Sequence, residues 1–292
     1  MDSKRFNIFA LMTVKNEDDI IEETILDAVK WADKIFVMDN MSNDSTWDKL
    51  TKLAKDNDKI VLWGRYGGKF HLALRQILFN DFRHFSKDGD WWCRLDGDEF
   101  YIDDPREFLT NLESDVDCVY NASFQYYYTE DDYEKEKNIS NNEQSVTARL
   151  KNYKCNHSEI RFIKDKKSLC WPQYSEWPAN LLKPTSKRIR LKHYQYRTLD
   201  QIKARLIARN AKDSGSSFKH EKVTASEWYK RRGFEIPEGK ELQDFRIVLK
   251  KDLDNSNDYI YHDDKLPNIL YPTLKRKVKR SLITFYMKYI LK

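Results

Sequence analysis

Trp91-Trp92-Cys93-Arg94-Leu95-Asp96-Gly97-Asp98-Glu99 is an apolar run of strand length that ends in three carboxylates around one glycine. The five residues before Asp96 have no helical period, and such a run fits a strand buried on both faces. Two acids separated by a glycine can turn toward one hard cation, because the glycine lets the backbone turn tightly between them. The triplet alone also fits a solvated turn, so its place in the chain decides. Working back toward the N-terminus, Phe6–Val14 reads as a strand. Asp18–Trp31 reads as a helix with Ile21, Ile25, Ala28 and Val29 on one face. Lys34–Met38 is a second strand, Thr46–Lys55 a helix that Asp44 or Ser45 can cap, Lys59–Trp63 a third strand, and Phe70–Phe85 a helix. Strand and helix alternate until Trp91–Leu95 forms the fourth strand, the pattern of a parallel sheet with crossover helices. Ligands of such sheets bind beyond the carboxyl ends of the strands. That rule selects Lys15-Asn16-Glu17, Asp39–Asp44 and Asp96–Glu99, and predicts that the three clusters converge.

The chain beyond is less regular. Asp117–Thr129 reads as a long strand rich in Tyr and Phe, Asp131–Asn142 as a charged loop, Glu159–Lys164 and Lys187–His193 as strands, and Asp200–Lys212 as an amphipathic helix. No repeat or clean linker interrupts it. The expected division is a nucleotide-binding half over 1–104, an acceptor half of the same domain over 105–270, and a basic tail over 271–292. Aromatic residues make up 14% of the chain, which favours a dense core or a site that stacks rings and sugars. A net charge of +5 is too small and too dispersed to argue for nucleic acid. Cys93, Cys118, Cys155 and Cys170 form no C-x-x-C pair, which counts against structural zinc and fits reduced thiols of a cytoplasmic protein. No stretch approaches the roughly 20 apolar residues of a membrane-spanning helix.

Val14-Lys15-Asn16-Glu17, Val37-Met38-Asp39-Asn40-Met41-Ser42-Asn43-Asp44-Ser45-Thr46 and Arg94-Leu95-Asp96-Gly97-Asp98-Glu99-Phe100, in this order, resemble the family 2 glycosyltransferases of the GT-A fold. The similarity is to the branch with NE after the first strand, D-N-x-S-x-D-x-T after the second and D-x-D-E after the fourth, and it covers about the first hundred residues. It implies an α/β chain with a mostly parallel central sheet, flanking helices and an irregular acceptor half. It also implies sugar transfer from a nucleotide-diphosphate donor, most often a uridine one, with Mn2+ or Mg2+. Asn16 and Glu17 would then lie at the nucleotide end of the first strand, Asp39 would meet the nucleoside, and Asp96 and Asp98 would serve the metal and diphosphate. Lys69 and Arg75 fall where the family often carries basic residues near the phosphates. This chain has Lys15 where arginine is more usual, and Gly97 where alanine often separates the acids.

Inverting members use a carboxylate to take the proton from the acceptor hydroxyl. Glu176, between Trp171 and Trp177 as a sugar-stacking wall, is one candidate, and Glu159 is its rival. His193 is expected to complete the metal shell, and Arg197 to meet a phosphate oxygen with two hydrogen bonds. The alternative is a buried histidine and an arginine in a first helical turn. Lys275–Arg280 with the apolar run after it suits an interfacial helix on an anionic membrane, or a helix packed back on the domain. The expected partners are therefore a nucleotide-sugar, a glycan or glycolipid acceptor of polysaccharide biosynthesis, and the inner face of a membrane. Two other readings remain: a nucleotidyltransferase, disfavoured because Lys15–Asp19 is acidic and lacks glycine, and a non-catalytic glycan-binding protein that has kept the fold.

Overall fold

The computed structural model describes residues 6–138, 145–181, 183–198, 200–202, 204–205 and 253–270. Its centre is one nine-stranded sheet. β1 (Ile8–Val14) pairs in parallel with β2 (Lys34–Asp39) on one side and with β4 (Trp91–Leu95) on the other, and β2 pairs in parallel with β3 (Ile60–Arg65). The crossovers are α1 (Ile21–Ala28), α2 (Thr46–Asp56) and α3 (Leu74–Phe82). The four strands run parallel, as the alternating pattern predicts, and stand in the order β3-β2-β1-β4. Every residue of β1 and β4 is buried, which explains why neither shows polar alternation.

The sheet continues without a break into the second half. β5 (Glu99–Tyr101) turns away directly after the acidic triplet. α4 (Pro105–Thr110) follows, started by Asp104, whose side chain accepts from the backbone N–H groups of Arg106 and Glu107. β6 (Cys118–Tyr126) lies between β8 (Ile160–Lys164), antiparallel to it, and β9 (Pro184–His193), parallel to it; β7 (Tyr153–His157) also pairs with β6. β8 joins β4, and β5 joins β9, both antiparallel, so strands from both sides of residue 104 share one sheet. The strand order therefore reverses beside β4, the kind of place where open α/β sheets bind ligands.

Three differences from the sequence reading have physical causes. Residues 131–138, expected as loop, belong to α5 (Glu130–Asn138). Thr129 and Asp132 cap its start reciprocally: the Asp132 carboxylate accepts from the Thr129 N–H at 2.9 Å, and the Thr129 hydroxyl accepts from the Asp132 N–H at 3.4 Å. Residues 70–73 stay outside α3, because the Asn40 side chain draws the preceding loop toward β2 by donating to the carbonyls of Tyr66 and Gly68. β5 has only three residues, and β7, Tyr-Lys-Cys-Asn-His, has no apolar run, so neither could be read alone. α6 (Val146–Arg149) follows, and residues 200–202 and 204–205 are helical, at the start of the expected Asp200–Lys212 helix. The end of the Asp200–Lys212 helix and the 271–292 tail lie outside the described residues. All four cysteines are free thiols. Among the described residues no helix is long and apolar enough to cross a membrane.

Candidate active site

The three polar clusters meet at the carboxyl ends of β1, β2 and β4. The Asn16 N–H donates to the Ser42 hydroxyl at 2.9 Å, the Glu17 N–H to the Thr46 hydroxyl at 2.8 Å, and the Asn43 N–H to the Asn16 side-chain oxygen at 3.0 Å. The third cluster is drawn in by Thr24 of α1, whose hydroxyl donates to the Gly97 carbonyl at 2.8 Å. Gly97 packs so closely that a Cβ there would stand 3.0 Å from Val14 Cγ1 and 3.4 Å from Glu17 Cγ. Glycine instead of alanine between the acids thus lets the turn settle against the first strand.

The two acids of the triplet enter different surroundings. Asp96 faces arginines: Arg75 of α3 and Arg161 of β8 both donate to it, the latter at 3.3 Å. Arg161 also grips Glu99 and lies 2.8 Å from Glu159. Burial disfavours charge on Asp96, but the guanidinium groups outweigh it and hold the carboxyl well below its usual range. Asp98 faces His193 across 3.3 Å, with Arg197 at 3.6 Å and Arg205 at 3.9 Å. Burial is again the opposing influence, and His193 leads the charges that pull Asp98 down to about 2. In return, the Asp98 charge raises the His193 imidazole against the effect of its own burial. The other ring nitrogen of His193 meets the Gln125 amide at 2.9 Å, which fixes the ring plane.

A family model for the glycosyl transferase family 2 matches residues 10–172. The chain belongs to this family. It is a glycosyltransferase. Solved structures with similar coordinates include the mannosyltransferase PcManGT from Pyrobaculum calidifontis in complex with GDP-Man and Mn2+, at 12% identity over 78% of this chain and 71% of that one, with a TM-score of 0.39. They also include GalNAc-T7 with UDP, GalNAc and Mn2+, at 13% identity over 86% of this chain and 56% of that one, TM-score 0.41. A third is S. aureus TarS 1-349 in complex with UDP, at 10% identity over 80% and 74%, TM-score 0.36. No curated protein matches the sequence.

The remaining expected residues of this transferase take definite positions. Asp39 is fully buried and accepts from Arg65 Nε at 2.8 Å and from the Ser42 N–H at 3.1 Å. Lys69 is exposed on the loop before α3. Arg75 is buried, and its Nε and Nη1 have no hydrogen-bond partner. Glu17 is partly buried against Arg197 Nη2 at 2.6 Å, and desolvation, despite that arginine, raises its carboxyl to about 7.

Three of the expected groups have the following surroundings. Among the described residues no group of three or more His, Cys, Asp and Glu side chains is arranged to hold a metal ion, and Asp96 stands apart from the Asp98–His193 pair in its arginine contacts. Arg197 is fully buried and donates to Asp19, Glu17 and the Tyr194 carbonyl, so it acts here as a strut between the first-strand loop and β9 instead of presenting a free fork. Trp171 is no sugar wall: it packs 5.1 Å from Phe79 in the core, and its indole N–H donates to Ser175 O. The residues that sequence reasoning missed are Arg94 and Arg161. Each is an arginine beside apolar strand residues, Arg94 in an otherwise apolar strand and Arg161 between Ile160 and Phe162, a visible anomaly because a buried guanidinium needs acidic partners.

Proposed function

We propose that the protein transfers a sugar from a nucleoside-diphosphate donor, of uridine type, to a hydroxyl of a glycan or lipid-linked acceptor, with a divalent metal and inversion at the anomeric carbon. The observation that carries this reading is the Asp98–His193 pair, 3.3 Å apart at the carboxyl end of the sheet, beside the joined loops after β1 and β2. One carboxylate oxygen and one imidazole nitrogen suit Mn2+ or Mg2+, which take the rest of their shell from phosphate oxygens and water. When bound, the metal would supply neutralisation of the departing diphosphate. Asp96 then orders Arg75 and Arg161 near the same end of the sheet, where their positive charge favours a phosphate group. Asp39, with Asn16 and Glu17 beside it, marks the nucleoside end.

Glu176 suits the base better than Glu159. Glu159 is enclosed by Arg161, Arg94 and His157, and although burial opposes it, the two arginines hold its carboxyl well below its usual range, where it is a weak proton acceptor. Glu176 keeps 37% of its side chain exposed and has Arg94 at 3.0 Å. In the step itself, Glu176 accepts the acceptor hydroxyl proton as that oxygen bonds to the anomeric carbon. The bond from that carbon to the phosphate oxygen breaks, and its electron pair leaves with the nucleoside diphosphate.

A screen of nucleotide-sugars for manganese-dependent transfer, or hydrolysis with water as acceptor, tests the reading. Asp98→Asn is expected to lower the rate by at least about 100-fold. Activity of Asp98→Asn at the parent rate would remove the metal assignment, and failure to bind any nucleoside diphosphate with or without Mn2+ would remove the whole. Peripheral attachment to the cytoplasmic face of a membrane belongs to the same proposal. It rests on the basic run Lys275–Arg280 and is tested by co-sedimentation with anionic vesicles before and after removal of residues 271–292.

A further inference from the structure

Arg94 sits on β4 two residues before Asp96, so period-2 alternation turns both toward the α3 side of the sheet. Only 6% of its side chain is exposed. Its Nη1 lies 3.1 Å from Glu159 Oε2 and 3.0 Å from Glu176 Oε1, so one nitrogen joins the two carboxylates that compete for the role of base. Trp177 lies over the guanidinium, with Cζ 4.9 Å from its ring centroid. The Trp177 ring therefore caps this cation instead of lining a sugar wall.

The two carboxylates differ in freedom. Glu159 is anchored at the start of β8, where its backbone N–H donates to the Asn121 side-chain oxygen at 2.7 Å and Arg161 holds its side chain. Glu176 belongs to the irregular 171–178 segment, and Arg94 is its only charged partner among the described residues. That segment is tied internally, by Ser175 N–H to Pro172 O at 3.0 Å and the Ser175 hydroxyl to Trp177 O at 2.7 Å, but neither bond fixes where the Glu176 carboxylate points. We infer that Arg94 is a positioning residue: anchored on Glu159 and covered by Trp177, it aims the Glu176 carboxylate over the carboxyl end of β4. The inference rests on the proposed role of Glu176 as base and explains why this family member carries an arginine within a strand otherwise made of apolar residues. It also gives Glu159 a task, that of a fixed counter-charge which spares Glu176 from being fully neutralised by Arg94.

A double-mutant cycle on the full-length enzyme tests it, with manganese-dependent transfer or hydrolysis of the best nucleotide-sugar as the readout. Glu176→Gln is expected to lower kcat by about 100-fold or more. Arg94→Met is expected to lower kcat at least tenfold with the donor KM unchanged, and to add little to Glu176→Gln, because a residue that acts only through Glu176 has nothing to aim once the base is gone. Arg94→Lys and Trp177→Phe should each recover part of the loss seen in Arg94→Met and Trp177→Leu, which also covers the case in which Arg94→Met fails to fold. If Glu176→Gln retains the parent kcat, the base assignment fails and this inference with it. If Glu176→Gln is inactive while Arg94→Met is near normal, or the Arg94 and Glu176 losses multiply, only the positioning role is overturned.

Discussion

Asn16 shows what the residue scale contributes. Its φ of 56° is left-handed, a region that costs a side chain about 1–2 kcal/mol unless a short polar group bonds locally. Asparagine offsets that cost here through a long-range bond, from Asn43 N–H to its side-chain oxygen, and its own N–H reaches Ser42. Asn16→Ala should therefore destabilise the protein by about 1–2 kcal/mol in denaturant titration, with Asn16→Gly costing less, since glycine adopts the same φ freely. Equal losses in the two variants would mean that the Asn43 bond, not the backbone conformation, is what the asparagine supplies. The position of this residue after the first strand was legible in the sequence, whereas its conformation was not, because the Asn43 that rewards it lies a whole helix and strand away.

At the scale of elements, β9 carries the most information about the second half. Ile189 and Leu191 are buried, while Arg188, Arg190 and Lys192 alternate with them and hold the segment 253–270. Arg188 donates to Asp263 at 2.7 Å and to the Pro267 carbonyl at 2.9 Å, Arg190 pairs with Asp103 and reaches the Asp258 carbonyl, and Lys192 lies 4.9 Å from the Tyr259 ring centroid. Arg188→Ala removes a donor from the buried Ser158 hydroxyl, whereas the exposed Asp263 and Pro267 acceptors can turn to water, so it should cost about 1–2 kcal/mol in the same titration. A loss under about 0.5 kcal/mol would show that the segment is held by its tyrosines alone. The strands that alternate with helices were readable because each repeats a local period and each crossover returns the chain to a parallel neighbour. The 253–270 segment was not readable, because its order comes from side chains far away in sequence. The same contrast holds for the site. The clusters after β1, β2 and β4 follow from sheet geometry, but the divergence of Asp96 and Asp98 depends on Arg161 and His193, which β8 and β9 deliver through non-local pairings.

For the molecule as a whole, the acids at the carboxyl ends of the strands set opposing limits on stability. Asp98, brought from 3.8 to about 2 by His193 against its burial, contributes stability that is present above pH 3.8 and lost as pH falls through about 2. Glu17 and Glu99 act in the opposite sense. Burial, against Arg197 and Arg161 respectively, raises each from 4.5 to about 7. Each binds a proton more tightly in the folded state than in the unfolded one, so its contribution is complete below pH 4.5 and is lost as pH rises through about 7. The combined contribution of these three groups is therefore greatest near pH 4–5 and declines toward pH 8. The decline is concentrated at the carboxyl ends of the strands, where buried acids are kept beside the proposed donor site at a cost in stability. Calorimetric Tm values of the ligand-free protein should fall between pH 5 and pH 8, and Glu17→Gln, which cannot ionise, should flatten that fall. A parent Tm that climbs steadily from pH 5 to pH 8, with Glu17→Gln following the same curve, would mean that Arg197 outweighs burial at Glu17 and that the strut between the first-strand loop and β9 is a net stabilising ion pair.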